Sequence, residues 1–361
     1  VSGFQEIRSI PTEAIERVDI MPEEVALQYG YSADQRVVNF VLKANFRSLS
    51  GQASLRGPTQ GGRTTTDIEG TLFSIAGGSR WSLDVEHERS SPLFESERDI
   101  ERKSGTTPYD LIGNVLGAPF GTETSPNSGV LVTPVPATPG APTLADFLAA
   151  SGAPRSGDLG SYRTLLAQGE QLSVRGSVKH DLNDTTAATV SVGLQNTTSR
   201  SFNGLPGVIL DLDAANAFSP FANDVQVFRY LDAPESMARK SDTLTLNIGT
   251  VLDGFLGDWR WTLSGNYDRI ETDTVTGRGY SATPFQARLA ANDPTANPFG
   301  GLNVTDFAPV ASDTANSVSQ VLGAELVLNG KLYTLPAGGV TSTFKLGADT
   351  RSLDSTSLRA G

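Results

Sequence analysis

From about residue 48 onward, hydrophobic and polar side chains alternate one by one in segment after segment. In "RWSLDVEHER" the residues Trp81, Leu83 and Val85 fall on one side, and Ser82, Asp84, Glu86 and Glu88 on the other. "QLSVRGSVKHDL" sets Leu172, Val174, Gly176 and Val178 against Ser173, Arg175, Ser177 and Lys179. The same split recurs at Leu244, Leu246 and Ile248, at Trp259, Trp261, Leu263 and Tyr267, at Leu322, Ala324, Leu326 and Leu328, and at Phe344, Leu346 and Ala348. A period of two puts successive side chains on opposite faces of an extended chain, so each segment reads as a β-strand with one apolar face. The pattern predicts nine strands near 49–58, 64–75, 79–90, 169–181, 185–200, 240–252, 257–271, 318–329 and 340–353, an all-β antiparallel fold.

The connections carry a second pattern. Those at 76–79, 182–185, 253–258 and 329–339 are short, whereas 91–168, 201–239 and 272–317 are long, and the two kinds alternate strictly from the second strand onward. Tight turns at one end and extended loops at the other are the topology of a transmembrane antiparallel β-barrel. The first long loop mixes a Pro-rich run, expected to be a solvated excursion, with one helical stretch, "TLADFLAAS", at 143–151. Nine is an odd count, and the last segment, "DTRSLDSTSLRAG", is followed by no closing or aromatic terminal strand. The expectation is therefore part of a barrel.

Composition narrows the alternatives. The net charge is −12, from 28 Lys+Arg and 40 Asp+Glu, which argues against nucleic acid as a partner, because phosphate recognition needs a basic face. Without cysteine there is neither a disulfide framework nor thiolate chemistry. Hydrophobic residues make up 38%, and no run approaches the ~20 apolar residues of a membrane helix. Barrel strands hide their hydrophobicity in alternation, so this leaves barrels open. The chain begins at Val1 with no secretory signal, which reads as a processed chain or an internal piece.

Candidate chemistry is sparse. His87 and His180 continue the apolar registers of their strands, near strand ends, and nothing in their spacing converges on a metal. Neither sits beside a nucleophile elbow, so no catalytic residue, cofactor or metal is expected. Asp211 and Asp213, and Asp293, Asn297 and Asn303, read as turn formers, since calcium-loop spacing is lacking. The Gly pairs at 61–62, 77–78, 300–301 and 338–339 open no strand-to-helix unit that would cradle phosphate. Trp81, Trp259, Trp261, Tyr267 and Tyr280 are expected in interfacial aromatic girdles.

The segment before the alternation differs. "SIPTEAIERVDIM", then "ALQYG", then "RVVNFVLK" resembles the end of the plug domain of TonB-dependent outer-membrane receptors, just before their barrel begins. The matching positions are Ile10, Pro11, Ile15, Glu16, Arg17, Val18, Ile20, Tyr29, Gly30, Ala33, Val37, Val38, Asn39 and Lys43; Gln35 and Arg36 stand where many members carry two glycines. The resemblance implies the end of a plug over residues 1–48, then the first nine or so strands of a 22-stranded barrel over 49–361. It further implies a receptor in the bacterial outer membrane that takes up a large or scarce nutrient such as a siderophore, cobalamin or an oligosaccharide. Its partners would be outer-membrane lipid, the nutrient, and the inner-membrane TonB complex through a segment absent from this chain. The ligand-contacting positions would lie in the loops 91–168, 201–239 and 272–317. A passive porin-like channel and a secreted β-rich adhesion or carbohydrate-binding protein are the alternative readings.

Overall fold

The computed structural model describes residues 10–22, 37–101, 108–118, 123–124, 131–137, 140–336 and 338–359. The strands are β1 (Ile15–Ile20), β2 (Val38–Leu42), β3 (Phe46–Arg56), β4 (Thr65–Ala76), β5 (Ser79–Ser90), β6 (Asn114–Leu116), β7 (Leu131–Pro134), β8 (Gln168–Asn183), β9 (Thr186–Phe202), β10 (Gly207–Leu212), β11 (Val225–Tyr230), β12 (Ala238–Leu256), β13 (Trp259–Thr276), β14 (Asp313–Leu335) and β15 (Gly338–Leu358). Two short helices, α1 (Leu144–Ala150) and α2 (Thr283–Ala290), lie between strands. The predicted helical stretch thus forms α1, whose Thr143 side chain accepts from Asp146 N at its N-terminus.

Nine long strands form one antiparallel wall in the order β15-β14-β13-β12-β9-β8-β5-β4-β3, each predicted strand pairing with its sequence neighbour. Two-residue turns close three of the hairpins, at 77–78, 184–185 and 257–258, β14 and β15 pair up to Leu335 and Gly338 at the same end, and the other connections all leave the opposite end of the wall. Gly77 and Gly78 have φ of +55° and +74°, the left-handed pair that a tight two-residue hairpin requires. The connection predicted at 329–339 is shorter than expected, because β14 runs on to Leu335 past a bulge at Lys331/Tyr333. Other strands also outrun their predicted ends. β13 continues through "ETDTVT" and β14 starts with "DTANSV", where both faces are polar and the alternation has nothing left to alternate.

Register sorts the two faces. One row runs Leu49, Leu72, Leu83, Gly176, Val192, Ile248, Tyr267 and Leu322 across eight strands. One residue along, the opposite face carries Ser50, Thr71, Asp84, Arg175, Gly193, Asn247 and Asp268. Thr71 Oγ1 donates to Asp84 Oδ1 at 3.0 Å, and Asn247 Nδ2 to Asp268 Oδ1 at 2.6 Å. The aliphatic face is not the covered one, as it would be in a water-soluble sheet. On the apolar face Leu83 is 36%, Val192 44% and Leu322 56% exposed, whereas on the polar face Ser82 is 8% and Ser173 2% exposed.

β1 and β2 pair antiparallel, bringing Ile20 opposite Val38 and Asp19 opposite Asn39. The chain then passes through Lys43 directly into β3, with Lys43 Nζ 5.8 Å from the centre of the Phe46 ring. Phe46 in turn lies 6.2 Å from Phe73, which faces the polar side of the wall and is only 1% exposed.

Candidate functional site

Most of the buried hydrophobic core of the described residues lies outside the wall. It sits in the three long connections, 91–167, 203–237 and 277–312, which build one packed body at their end of the wall. This corrects the expectation of a solvated excursion for the described part of the Pro-rich run. Leu131–Pro134 is a strand of a small sheet ordered β10-β11-β6-β7 and Glu123–Thr124, and Val132 and Val135 are buried. A second correction concerns Tyr280, which belongs to no girdle. It pairs with Pro309 and packs against the loop core.

Each connection contributes one ring to the centre. Phe147, fully buried on α1, has its ring 4.9 Å from that of Phe221 and 5.3 Å from that of Phe299, so the three connections meet there. Polar side chains join the same pieces through backbone groups. Asn114, fully buried, donates from Nδ2 to the carbonyls of Pro108 and Arg155 and accepts from Arg155 N. Asn216 Nδ2 donates to Leu289 O at 2.6 Å, and Asn297 Nδ2 to Gly140 O at 3.0 Å. On the strand edge of β10, Gln286 acts as a substitute peptide group, donating to Asp211 O and accepting from Asp211 N.

Arg229 on β11 is the most heavily engaged of these groups. Its Nε and Nη2 donate to Leu111 O at 3.0 and 2.6 Å, and its Nη1 to Pro298 O at 3.1 Å and Gly300 O at 2.7 Å. Burial pulls its pKa down to about 10, with the Asp110 carboxylate acting in the opposite direction, so the guanidinium is charged at neutral pH. The sequence reading passed over it. The available signal was a lone cation inside the otherwise apolar "VFRY". Arg229→Met strips the carbonyls of Leu111, Pro298 and Gly300 of these donors; only Pro298 is buried, so at 1–3 kcal/mol per orphaned buried group the loop body is expected to lose about 1–3 kcal/mol. Limited proteolysis should show new cleavage in all three connections, with Arg229→Lys recovering only part of the resistance because an ammonium lacks the planar fork. Wild-type resistance in Arg229→Met would refute the clamp.

Beside the main core, Leu159, Leu205 and Tyr230 are buried together with Tyr109 and Tyr162 against them. The Tyr109 ring is 5.3 Å from both Phe228 and Tyr230, and burial raises the phenol pKa of both tyrosines. On the far side of the body, Arg288 spans Asp293 and Asp306 at 2.9 and 2.6 Å. Hydrogen bonds from Thr295 and Arg288 bring the Asp293 carboxyl down to about 2.

The remaining sequence candidates fall as follows. Ile10 and Pro11 lead into a short 3-10 turn, and Ala14 N donates to Pro11 O at 2.9 Å. Ile15, Glu16, Arg17 and Val18 are on β1, Val38 and Asn39 on β2, and Val37 O accepts from Met21 N. Lys43 N donates to Ala14 O, so the two ends of the signature are joined; Tyr29, Gly30 and Ala33 lie outside the described residues. His87 Nε2 is 3.1 Å from Glu170 Oε1, and His180 Nδ1 is 2.7 Å from Ser79 Oγ. Positions 79 and 87 stand at opposite ends of β5, which places the two imidazoles roughly 25 Å apart at ~3.3 Å per residue. Asp211 accepts from Gln226 Nε2, Asn303 caps the turn at Val304–Asp306, and no group of three or more metal-ligating side chains occurs among the described residues.

No protein-family model matches the chain, and no curated protein matches it. Among solved structures it is similar to the ferric-catecholate import receptor Fiu from E. coli K12 in its closed form, with 8% identity and a TM-score of 0.31 over 89% of this chain and 45% of that one. It is also similar to the open form of the same receptor, with 9% identity and a TM-score of 0.29 over 95% of this chain and 57% of that one. The chain thus spans about half the length of both receptor structures.

Proposed function

We propose that the chain is the plug-to-barrel junction and the first part of the barrel wall of a TonB-dependent outer-membrane receptor. In this reading residues 1–48 end the plug and 49–361 belong to a wall of about 22 strands. The observation that carries it is the wall itself: a nine-stranded antiparallel sheet with a continuous exposed aliphatic face and every long connection at one end. Water penalises exposed aliphatic rows, whereas hydrocarbon favours them and forbids unpaired backbone, so such a wall suits a bilayer once further strands cover β3 and β15. The paired signature on β1 and β2, leading through Lys43 to the polar side of the wall at Phe46 and Phe73, supports the plug assignment.

The receptor role follows from where structure was invested. Here three connections form a body with its own core at the outer end, which supplies a preorganised platform for a nutrient ligand. Uptake would be driven by plug rearrangement through the TonB complex, with no chemical step and no cofactor. The test uses cells carrying the full-length protein and a panel of ferric siderophores, cobalamin and oligosaccharides, with and without a protonophore. Uptake of a panel member that the protonophore abolishes is the expected result. Energy-independent flux would favour the porin-like channel, and a product soluble without detergent would favour the secreted protein.

A further inference from the structure

On the exposed apolar face, beside the turn at 257–258, lies a groove of about 550 Å³ lined by Leu256, Trp259, Trp261, Leu326, Leu328 and Phe344. It is a product of register. Trp261, Leu328 and Phe344 stand opposite one another on β13, β14 and β15, and Leu256 pairs with Trp259 across the turn. Gly330 is buried beneath the Trp259 indole, and a Cβ built there would stand 2.3 Å from Trp259 Cδ2. Only glycine lets that ring lie flat against the wall, with Phe344 stacked alongside at 6.0 Å and 26°.

We propose that this groove seats one acyl chain of a membrane phospholipid. The inference rests on the reading that the apolar face of the wall meets lipid, and adds a defined site to it. Three observations select the occupant. The surface lining the groove is almost wholly apolar, so a ligand or protein partner with hydrogen-bonding groups would leave most of them unsatisfied there, whereas an acyl chain has none. Its volume is several times the ~150 Å³ of an apolar cavity that admits benzene. It is also continuous with the exposed aliphatic positions Leu263, Leu322 and Leu346, and it sits at a strand end, where indole rings mark the boundary between hydrocarbon and headgroups.

The wall supplies its own control. Trp81 is the third residue of β5, as Trp261 is of β13, so both stand equally far from a two-residue turn and on the same face. The flanks of Trp81 are Ser74 and Val178, without facing rings. The test compares two versions of the protein in nonionic detergent. In one, Trp81→Phe and the replacement of any tryptophan outside this chain leave only the groove pair; in the other, Trp259→Phe and Trp261→Phe leave only Trp81. Each is titrated with a phospholipid carrying brominated acyl chains, which quench indole fluorescence on contact.

The expected result is quenching of the groove pair that saturates near one lipid per protein, while Trp81 is quenched only in proportion to the lipid fraction of the micelle. Gly330→Ala, which lifts the indole off the wall, should bring the groove signal down to that of Trp81. Quenching of the groove pair no stronger than that of Trp81 would overturn the proposal, whether or not Gly330→Ala folds. A Trp81 that is untouched even in vesicles made of the brominated lipid would instead overturn the lipid-facing reading of the wall.

Discussion

Phe147→Ala is expected to loosen all three long connections together and leave the wall intact. A fully buried phenylalanine replaced by alanine costs about 3–5 kcal/mol in transfer and cavity terms. Here the ring removed is the one that touches Phe221 of the second connection and Phe299 of the third. At ~1.4 kcal/mol per decade, backbone amides of β6, β10 and β11 should lose two or more decades of hydrogen-exchange protection. Amides of β8, β9 and β12, held by cross-strand ladders outside the loop core, should keep theirs. If only the first connection loosened, the loops would be three separate excursions and the preorganised platform would be wrong. The outcome also bears on ligand capture, because a platform that melts must be reordered by its ligand, at a cost in affinity.

The wall was legible in the sequence and the loop body was not, for one physical reason. A strand with one apolar face records its partner surface in its own alternation, so Trp81, Leu83 and Val85 could be placed without knowing any neighbour. The short turns followed from the same records. The loop core is assembled from pieces that lie far apart: Phe147, Phe221 and Phe299 are over 70 residues apart in succession, and nothing in the sequence around any one of them names the other two. Tyr280 misled for the same reason, since it stands just past the end of β13 and its core neighbours come from elsewhere. Arg229 shows the limit most sharply. Its engagement depends on carbonyls contributed by Leu111, Pro298 and Gly300, which no local pattern announces. The plug-like signature lies between these cases: its two strands were readable as motifs, and their pairing, Asp19 opposite Asn39, came only with the structure.

Val192→Arg is the substitution that most directly separates a membrane wall from a soluble sheet. Val192 lies near the middle of the row from Leu49 to Leu322, flanked by Gly176 and Ile248, and is 44% exposed. In water an exposed valine on a sheet can become arginine with a change usually within ±0.5 kcal/mol. In a bilayer the same position lies near the midplane, where a cation on the lipid face of a barrel costs about 2–4 kcal/mol. Asn247→Arg is the matched control one residue away in register, on the polar face, where the new guanidinium meets Asp268 in place of the present amide. Refolding of the full-length protein into phospholipid vesicles, followed by reversible denaturant titration, should show a loss of that size for Val192→Arg and little change for Asn247→Arg. The reverse order, with the polar face intolerant and Val192 permissive, would mean that lipid lies on neither side as assigned, and the barrel reading would fall with it. Equal tolerance at both positions would point to water on both faces, which is what the secreted alternative requires.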